Sequence, residues 1–330
     1  MPKIIHADAK GRTDGSANKL AELVLKHAPT SFPDIVLVTS VDGYVFNEEL
    51  STHDRPYILF DFVEYGWDWD YTPHLFNNNY IGTIPRFSSP DWDCFHAFVS
   101  LHPPLTYFKR ELLQTLYDKQ QTTQTTPSGF LKPINYPCWH TVPLTQSQSQ
   151  FDTRPLDVFY AWGRSHEDRL RLQGEIWQRA SALGYNVCDN LFTINEFIQH
   201  EASPRWVATN IPHYARQDMS TIMQIQGHSR ISVSKSGAGV TCFRHTESPV
   251  NAVMLMTDSP IMWSYRWVHG YNCLCATEGK EVDMLHTFTS RDPEMRGVLY
   301  DIYTRGVEMC RKYEVDTYIR DYIKPNIPVL

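Results

Sequence analysis

The sequence lacks long hydrophobic segments. No run in its 330 residues approaches the roughly 18 consecutive apolar residues that a membrane-spanning helix needs. The N-terminal segment, Met1–Gly11, also lacks the apolar stretch and small-residue cleavage site of a secretory signal. We therefore expect a soluble, cytoplasmic protein.

Paired cysteines and an excess of basic charge are missing as well. The seven cysteines are odd in number and scattered, which indicates reduced thiols rather than a disulfide framework. One residue separates Cys273 from Cys275, a spacing too short for a typical structural zinc site. The formal net charge of −7 argues against broad nucleic-acid binding, which needs clustered Lys and Arg. A local basic groove remains compatible with this charge.

The chain does contain short apolar runs that alternate with amphipathic segments. Lys3–His6, Ile35–Thr39 and Tyr57–Phe62 are typical of buried strands in parallel sheets. Leu156–Ala161 begins a second series and is followed by a predicted helix at Glu167–Leu183. We predict an α/β fold of two doubly wound, Rossmann-like domains that face each other across a cleft.

A polar segment divides these two series. Thr141–Pro155 carries prolines toward both ends and a Gln/Ser repeat that cannot build a core, so we interpret it as an interdomain linker. The predicted domains are residues 1–150 and 151–330. Among the less regular segments, we predict a strand at Phe95–Leu101, a helix at Phe108–Asp118, and a helix that continues through Met254–Met256.

The stretch Ile231–Glu247, ISVSKSGAGVTCFRHTE, predicts a strand, a Ser/Gly turn and the start of a helix. The free N–H groups and positive dipole end of such a helix suit a phosphate or diphosphate. The stretch has neither the GxGxxG spacing of a dinucleotide site nor the motif of a P-loop. It also fits an ordinary strand–turn–helix in which Arg244 and Glu247 form a solvated pair.

Several features together resemble the donor-binding half of a GT-B glycosyltransferase over Asp157–Lys324. They are Gly163-Arg164 after the first strand of the second domain, the SKSGAGVTCFRHTE stretch, and the tail that ends in YIKP. The element from Phe243 to Glu247 is similar to that of exostosins. The resemblance implies an acceptor held by the N-terminal domain, a UDP- or GDP-linked sugar held by the C-terminal domain, and no required cofactor or catalytic metal.

The same resemblance implies which residues hold the donor. Arg164, Lys235 and Arg244 would neutralise the diphosphate, and Glu247 would hold the ribose. The full implied set is Gly163, Arg164, Lys235, Ser236, Gly237, Gly239, Arg244 and Glu247.

An inverting transferase also needs a group that takes the proton of the acceptor hydroxyl. Asp8 follows the first strand, and Asp61 and Glu64 lie at the end of the third. Carboxyl ends of parallel strands face the cleft, so these three carboxylates are the catalytic candidates, with His6 as a further one.

Two Asp-Trp-Asp pairs resemble the DxD motif with which GT-A glycosyltransferases hold Mn²⁺ or Mg²⁺. They are Asp68 with Asp70, and Asp91 with Asp93. Neither pair directly follows an apolar strand, and a single-domain GT-A layout does not explain the second series that begins at Leu156. We rank this metal site second, with turn-forming aspartates as the alternative for both pairs.

The resemblance implies an enzyme that transfers a hexosyl or pentosyl group from a nucleotide sugar to a hydroxyl. The acceptor is a glycan or a hydroxymethylated DNA base. The alternatives are a metal-dependent GT-A enzyme and a non-catalytic, two-lobed protein that binds a nucleotide or sugar.

Overall fold

The computed structural model of the chain contains two five-stranded parallel sheets. It describes residues 1–7, 15–39, 47–62, 94, 97–99, 101–112, 114, 117–118, 131–162, 167–184, 186–191, 219–235, 244–257, 261–277, 279–289 and 292–328. None of the helices in these ranges combines the length and the apolar character that a membrane crossing requires.

The first sheet is buried on both faces. Its strands, in spatial and sequence order, are β1 (Ile4–His6), β2 (Asp34–Val38), β3 (Tyr57–Asp61), β4 (Tyr107–Lys109) and β5 (Leu131–Pro133). Successive side chains point to opposite faces. Ile35 and Leu37 therefore belong to one hydrophobic cluster, and Val36 and Val38 belong to another. This two-sided burial explains why β2 and β3 are continuous apolar runs.

The second sheet has a reversal in its strand order. Its strands are β6 (Leu156–Trp162), β7 (Val187–Leu191), β8 (Ser229–Ser234), β9 (Val253–Thr257) and β10 (Leu274–Ala276). The spatial order is β10-β9-β8-β6-β7, so the direction of winding changes between β6 and β8. Parallel α/β sheets bind ligands in the crevice at the carboxyl ends of the strands on either side of such a reversal.

Helices connect and cover the strands. They are α1 (Gly15–Lys26), α2 (Glu48–Ser51), α3 (Gln148–Asp152), α4 (Glu167–Leu183), α5 (Met219–Gly227), α6 (Arg244–Asn251), α7 (Glu281–Phe288), α8 (Pro293–Tyr313) and α9 (Val315–Tyr318), followed by a π-helical turn (Ile319–Ile323) and a 3₁₀ turn (Lys324–Asn326). The bounds of α4 agree with the predicted ones. The predicted α/β fold with two parallel sheets is confirmed.

Three local predictions are wrong, each at a short apolar segment that periodicity cannot assign. Residues 97–99, predicted as part of a strand, are helical, with Phe98 and Val99 buried against the first sheet. Tyr107–Lys109, which overlaps a predicted helix, is a strand paired with β3 and β5. Met254–Met256 is part of β9, because it lies between β8 and β10 with every residue buried.

The predicted linker is packed rather than extended. It contains α3, which begins with a capping box between Ser147 and Gln150. Phe151 is completely buried, and its ring stacks on Tyr303 with the ring centroids 4.9 Å apart. The domain boundary at this segment stays a prediction.

The C-terminal segment returns to the first sheet and joins the two halves. The Tyr318 hydroxyl accepts a hydrogen bond from the backbone N–H of Asn135, 3.0 Å away, just beyond β5. The Tyr322 hydroxyl donates to the carbonyl oxygen of Pro133 at 2.7 Å. Rings of Tyr318 and Tyr322 stack with centroids 5.3 Å apart. The loop after β5 is thereby held against the chain terminus.

Cysteine reactivity tests this packing. Cys94 is exposed, whereas Cys138 and Cys310 are buried. Burial raises the pKa of the Cys138 thiol to about 12 and raises that of Cys310 well above its usual value. Because the thiolate is the reactive form, we expect iodoacetamide at about pH 8 to alkylate Cys94 readily but Cys138 and Cys310 only after denaturation. Peptide mass spectrometry measures this, and rapid labelling of native Cys138 would contradict the structure.

Candidate functional site

The carboxyl edge of the second sheet carries a buried ionic network. Lys235 directly follows β8, and its Nζ lies 3.1 Å from Glu281 Oε1 and 3.3 Å from Thr257 Oγ1. Thr257 ends β9 and Glu281 begins α7, so three separate elements meet here. Lys235 is only 5% exposed and Glu281 only 1%. Because Lys235 already forms an ion pair with Glu281, it is a weaker candidate for neutralising a diphosphate than the sequence indicates.

Glu281 and Thr257 were missed by sequence reasoning. Glu281 Oε2 is buried and finds no hydrogen-bond partner within the described ranges. A buried carboxylate oxygen without a donor is costly, so this atom is a candidate acceptor for a ligand hydroxyl. An acidic residue at a helix start is common, and nothing in the local pattern relates Glu281 to Lys235.

Arg244 begins α6, the helix that follows β8. The chain leaves β8 at the carboxyl edge and reaches the amino end of β9 directly after α6, so the N-terminus of α6 lies at the carboxyl edge. A hydrogen bond of 3.1 Å from Ser232 Oγ to Ser248 Oγ holds α6 against β8. Arg244 Nε is a buried atom that has no hydrogen-bond partner in the described part of the chain. A cation therefore stands at a positively polarised helix end, as anion binding requires.

Glu247 lies one turn further along α6 and is 7% exposed. Burial raises the pKa of Cys138, and the negative charge of Glu247 raises it further, which places Glu247 near the segment that follows β5. The neighbouring His245 ring packs on Trp263 with the centroids 5.1 Å apart. The start of α6 thus contacts residues that link the two halves of the molecule.

One segment brings the carboxyl edges of the two sheets together. Met262 and Ser264 follow β9, and the backbone N–H of Met262 donates to the carbonyl oxygen of Leu112 at 2.7 Å. The backbone N–H of Ser264 donates to Asn135 Oδ1 at 2.8 Å. Leu112 and Asn135 lie just beyond β4 and β5 of the first sheet. Residues from both halves therefore contact each other at the base of the predicted cleft.

Asp61, a predicted catalytic carboxylate, is completely buried at the end of β3. Its Oδ2 accepts a hydrogen bond from the Tyr107 hydroxyl at 2.5 Å and lies 3.1 Å from Lys109 Nζ. Burial lowers the pKa of Lys109, and the Asp61 charge opposes this shift. Because the Asp61 carboxylate is completely buried and already contacts these two groups, the geometry favours a structural role for Asp61.

His6 is the second predicted proton acceptor that lies within the described residues. It ends β1 at the same edge as Asp61 and is only partly buried. The Asn47 side chain donates to the His6 carbonyl oxygen at 3.0 Å and fixes the backbone. His6 Nδ1 is buried and lacks a hydrogen-bond partner among the described residues.

The other predicted site residues lie outside the described residues. These are Asp8, Glu64, Asp68, Asp70, Asp91, Asp93, Gly163, Arg164, Ser236, Gly237 and Gly239. In the part of the chain that the structure describes, no three His, Cys, Asp or Glu side chains form a group that could hold a metal ion.

Solved structures share this arrangement of two sheets. Anabaena Alr3699/HepE in complex with UDP superposes with a TM-score of 0.59 at 10% identity, over 98% of this chain and 99% of that one. Trehalose 6-phosphate synthase from Burkholderia multivorans gives 0.52 at 12% identity, over 94% of this chain and 73% of that one. A structure described as trehalose-6-phosphate from E. coli bound with UDP-2-fluoro glucose gives 0.53 at 9%, over 96% and 78%.

The fold is GT-B. The fold class implied by the sequence resemblance is thereby confirmed, although these identities show the fold alone. No protein-family model matches the sequence, and no curated protein sequence matches it.

Proposed function

We propose that this GT-B protein is a glycosyltransferase that moves a sugar from a nucleotide-sugar donor to a hydroxyl acceptor. The observation that carries the proposal is Arg244, whose buried Nε has no partner among the described residues, at the start of a helix beside the strand-order reversal. The developing charge on a departing nucleoside diphosphate needs such a fixed cation and helix N-terminus.

The donor would lie against the carboxyl edge of the second sheet. Arg244 and the first N–H groups of α6 would contact its diphosphate. Arg164, Ser236, Gly237 and Gly239 are assigned to the same diphosphate from the sequence resemblance alone. Glu247 and the unpartnered oxygen of Glu281 accept hydrogen bonds from ribose or sugar hydroxyls. Lys235 acts here through its contact with Glu281 Oε1, which orients that carboxylate.

UDP-linked sugars are the first donors to test, ahead of GDP-linked ones. Two of the solved structures of similar fold contain UDP-2-fluoro glucose or UDP. The exostosin-like character of the Phe243–Glu247 element stays a prediction, as do the domain bounds 1–150 and 151–330.

The acceptor would approach from the first sheet. His6, together with Asp8 or Glu64, is the group that we assign to removal of the hydroxyl proton, because Asp61 is already paired. The acceptor hydroxyl belongs to a glycan or to a hydroxymethylated DNA base.

A donor panel tests the proposal. The full chain is incubated with UDP-, GDP- and dTDP-sugars, with and without glycan or hydroxymethylated DNA acceptors, and released nucleoside diphosphate is measured. We expect release from a UDP-sugar that an acceptor accelerates, and we expect it to persist in EDTA. Loss in EDTA would favour the metal site at Asp68 and Asp70. Tight binding without release, with every acceptor present, would favour a non-catalytic binding protein.

A further inference from the structure

A second cavity lies at the opposite edge of the second sheet. Its volume is about 410 Å³, and its walls come from the amino ends of β6 and β8, the ends of α4 and α7, and the first turns of α8. Arg230 lines it near the start of β8, five residues before Lys235. Five residues of strand measure about 16 Å, so this cavity is separate from the carboxyl-edge site.

Arg154 places an unneutralised charge beside the cavity. It is 5% exposed, and its guanidinium donates to the carbonyl oxygens of Ser229 and Asn251 and to Gln146 Oε1. All three acceptors are neutral, and no carboxylate in the described part of the chain pairs with Arg154. Buried charges in proteins are normally compensated, so this one adds a positive potential to the cavity.

Two further arginines line the cavity. Arg230 pairs with Asp157 through Nη1 and donates to the carbonyl oxygen of Asp152 through Nη2, and its buried Nε has no hydrogen-bond partner among the residues described. Arg296 is half-buried on the first turns of α8, and the described ranges contain no side-chain partner for it. The described lining residues include one carboxylate, Asp157, and three arginines, which are Arg154, Arg230 and Arg296. The excess of two positive charges matches a phosphate dianion.

We propose that this cavity binds a small phosphate monoester. Its phosphate contacts Arg296 and lies in the positive potential of Arg154 and Arg230, because a guanidinium fork matches the geometry of phosphate oxygens. Asn186 and Thr289, which also line the cavity, provide polar groups for hydroxyls on the organic part. The volume falls in the range that encloses small organic ligands.

Calorimetry on the full chain tests the proposal with inorganic phosphate, ribose 5-phosphate and ribose as probes. We expect ribose 5-phosphate to bind more tightly than phosphate, and ribose not to bind. Arg296→Gln should weaken binding by about ten- to hundredfold through loss of a charged contact. Arg305→Gln is the matched control, since it removes the same charge from α8 at a residue that pairs with Asp301 outside the cavity. This control should bind like wild type.

Three results would overturn the proposal. They are no binding of either phosphate probe at millimolar concentration, an unchanged affinity in Arg296→Gln, and an equal loss in the Arg305→Gln control. Arg244→Gln separates the two sites: if it abolishes phosphate binding while Arg296→Gln does not, the phosphate occupies the carboxyl edge. The proposed donor site uses none of these cavity residues, so failure here leaves the donor panel as an independent test.

Discussion

Replacing Asp61 by Asn should lower the free energy of unfolding by about 3–5 kcal/mol, because it removes the carboxylate that pairs with the buried Lys109 ammonium. The two groups are 0% and 2% exposed and lie 3.1 Å apart. Asn keeps the volume of Asp, so a cavity does not contribute to the loss. Urea unfolding followed by tryptophan fluorescence measures the difference.

Controls and pH dependence distinguish this ion pair from a general packing defect. Glu49→Gln breaks the Lys3–Glu49 pair, whose side chains are 48% and 47% exposed, and should cost less than about 1 kcal/mol. Asp61→Asn combined with Lys109→Met should be more stable than Asp61→Asn alone, because no buried charge remains unpaired.

The free energy of unfolding of Asp61→Asn is expected to rise with pH. Burial already lowers the pKa of Lys109, and the loss of Asp61 removes a charge that raises it. The native variant would then bind fewer protons than its unfolded form, so its stability rises as pH increases toward about 9. A deficit that grows with pH, or a variant as stable as wild type, would contradict the assigned ion pair.

The second large effect is expected at the carboxyl edge of the other sheet. Arg244→Ala should weaken UDP binding by about ten- to hundredfold, or roughly 1.5–3 kcal/mol, since it removes a charge-assisted contact to the diphosphate. Its Nε makes no hydrogen bond within the described chain, so the melting temperature should change little. Calorimetric titration with UDP and a thermal melt measure the two effects separately.

Companion variants make this result specific. Glu247→Ala should weaken binding of UDP by a similar factor, because it removes the acceptor for the ribose hydroxyls. Arg171→Ala removes an exposed arginine of α4 that pairs with Glu175, and it should bind UDP like wild type. If Arg244→Ala and Glu247→Ala both bind UDP with wild-type affinity, the proposed donor site is wrong.

The predicted loss of stability in Asp61→Asn and the predicted loss of UDP affinity in Arg244→Ala involve buried charges with different roles. Lys109 and Asp61 compensate each other inside the first sheet, so either one alone destabilises the fold. Arg244 Nε makes no hydrogen bond within the described residues, which is unfavourable for stability but leaves this donor unused by the fold. The first pair therefore supports the scaffold, and the second residue supports binding.

Local patterns in the sequence were sufficient for most elements. Continuous apolar runs predict β2 and β3, because strands buried on both faces need apolar side chains on both. The start of α8 is encoded locally by the Asp292 cap and by Pro293 at the first helical position. Segments of three to five apolar residues, such as β4 and β9, were assigned to the wrong element because their burial depends on distant neighbours.

The candidate site divides in the same way. Arg244 and Glu247 are three residues apart, so a single helix turn brings them together and the sequence predicts their proximity. Lys235 and Glu281 are 46 residues apart in the sequence, and Asp61 meets Tyr107 over the same separation. No local pattern relates such partners.

Read along the chain, the sequence predicts two parallel-sheet units and the start of a helix in the second, which we propose binds an anion. Hydrophobic periodicity and helix capping act over a few residues, so they can be read along the chain. The pairing of Lys235 with Glu281, the pairing of Asp61 with Lys109, and the arginines around a cavity at the far edge of the sheet follow from the folded arrangement alone. Burial and charge compensation depend on which strands become neighbours, and strand order is a property of the whole fold.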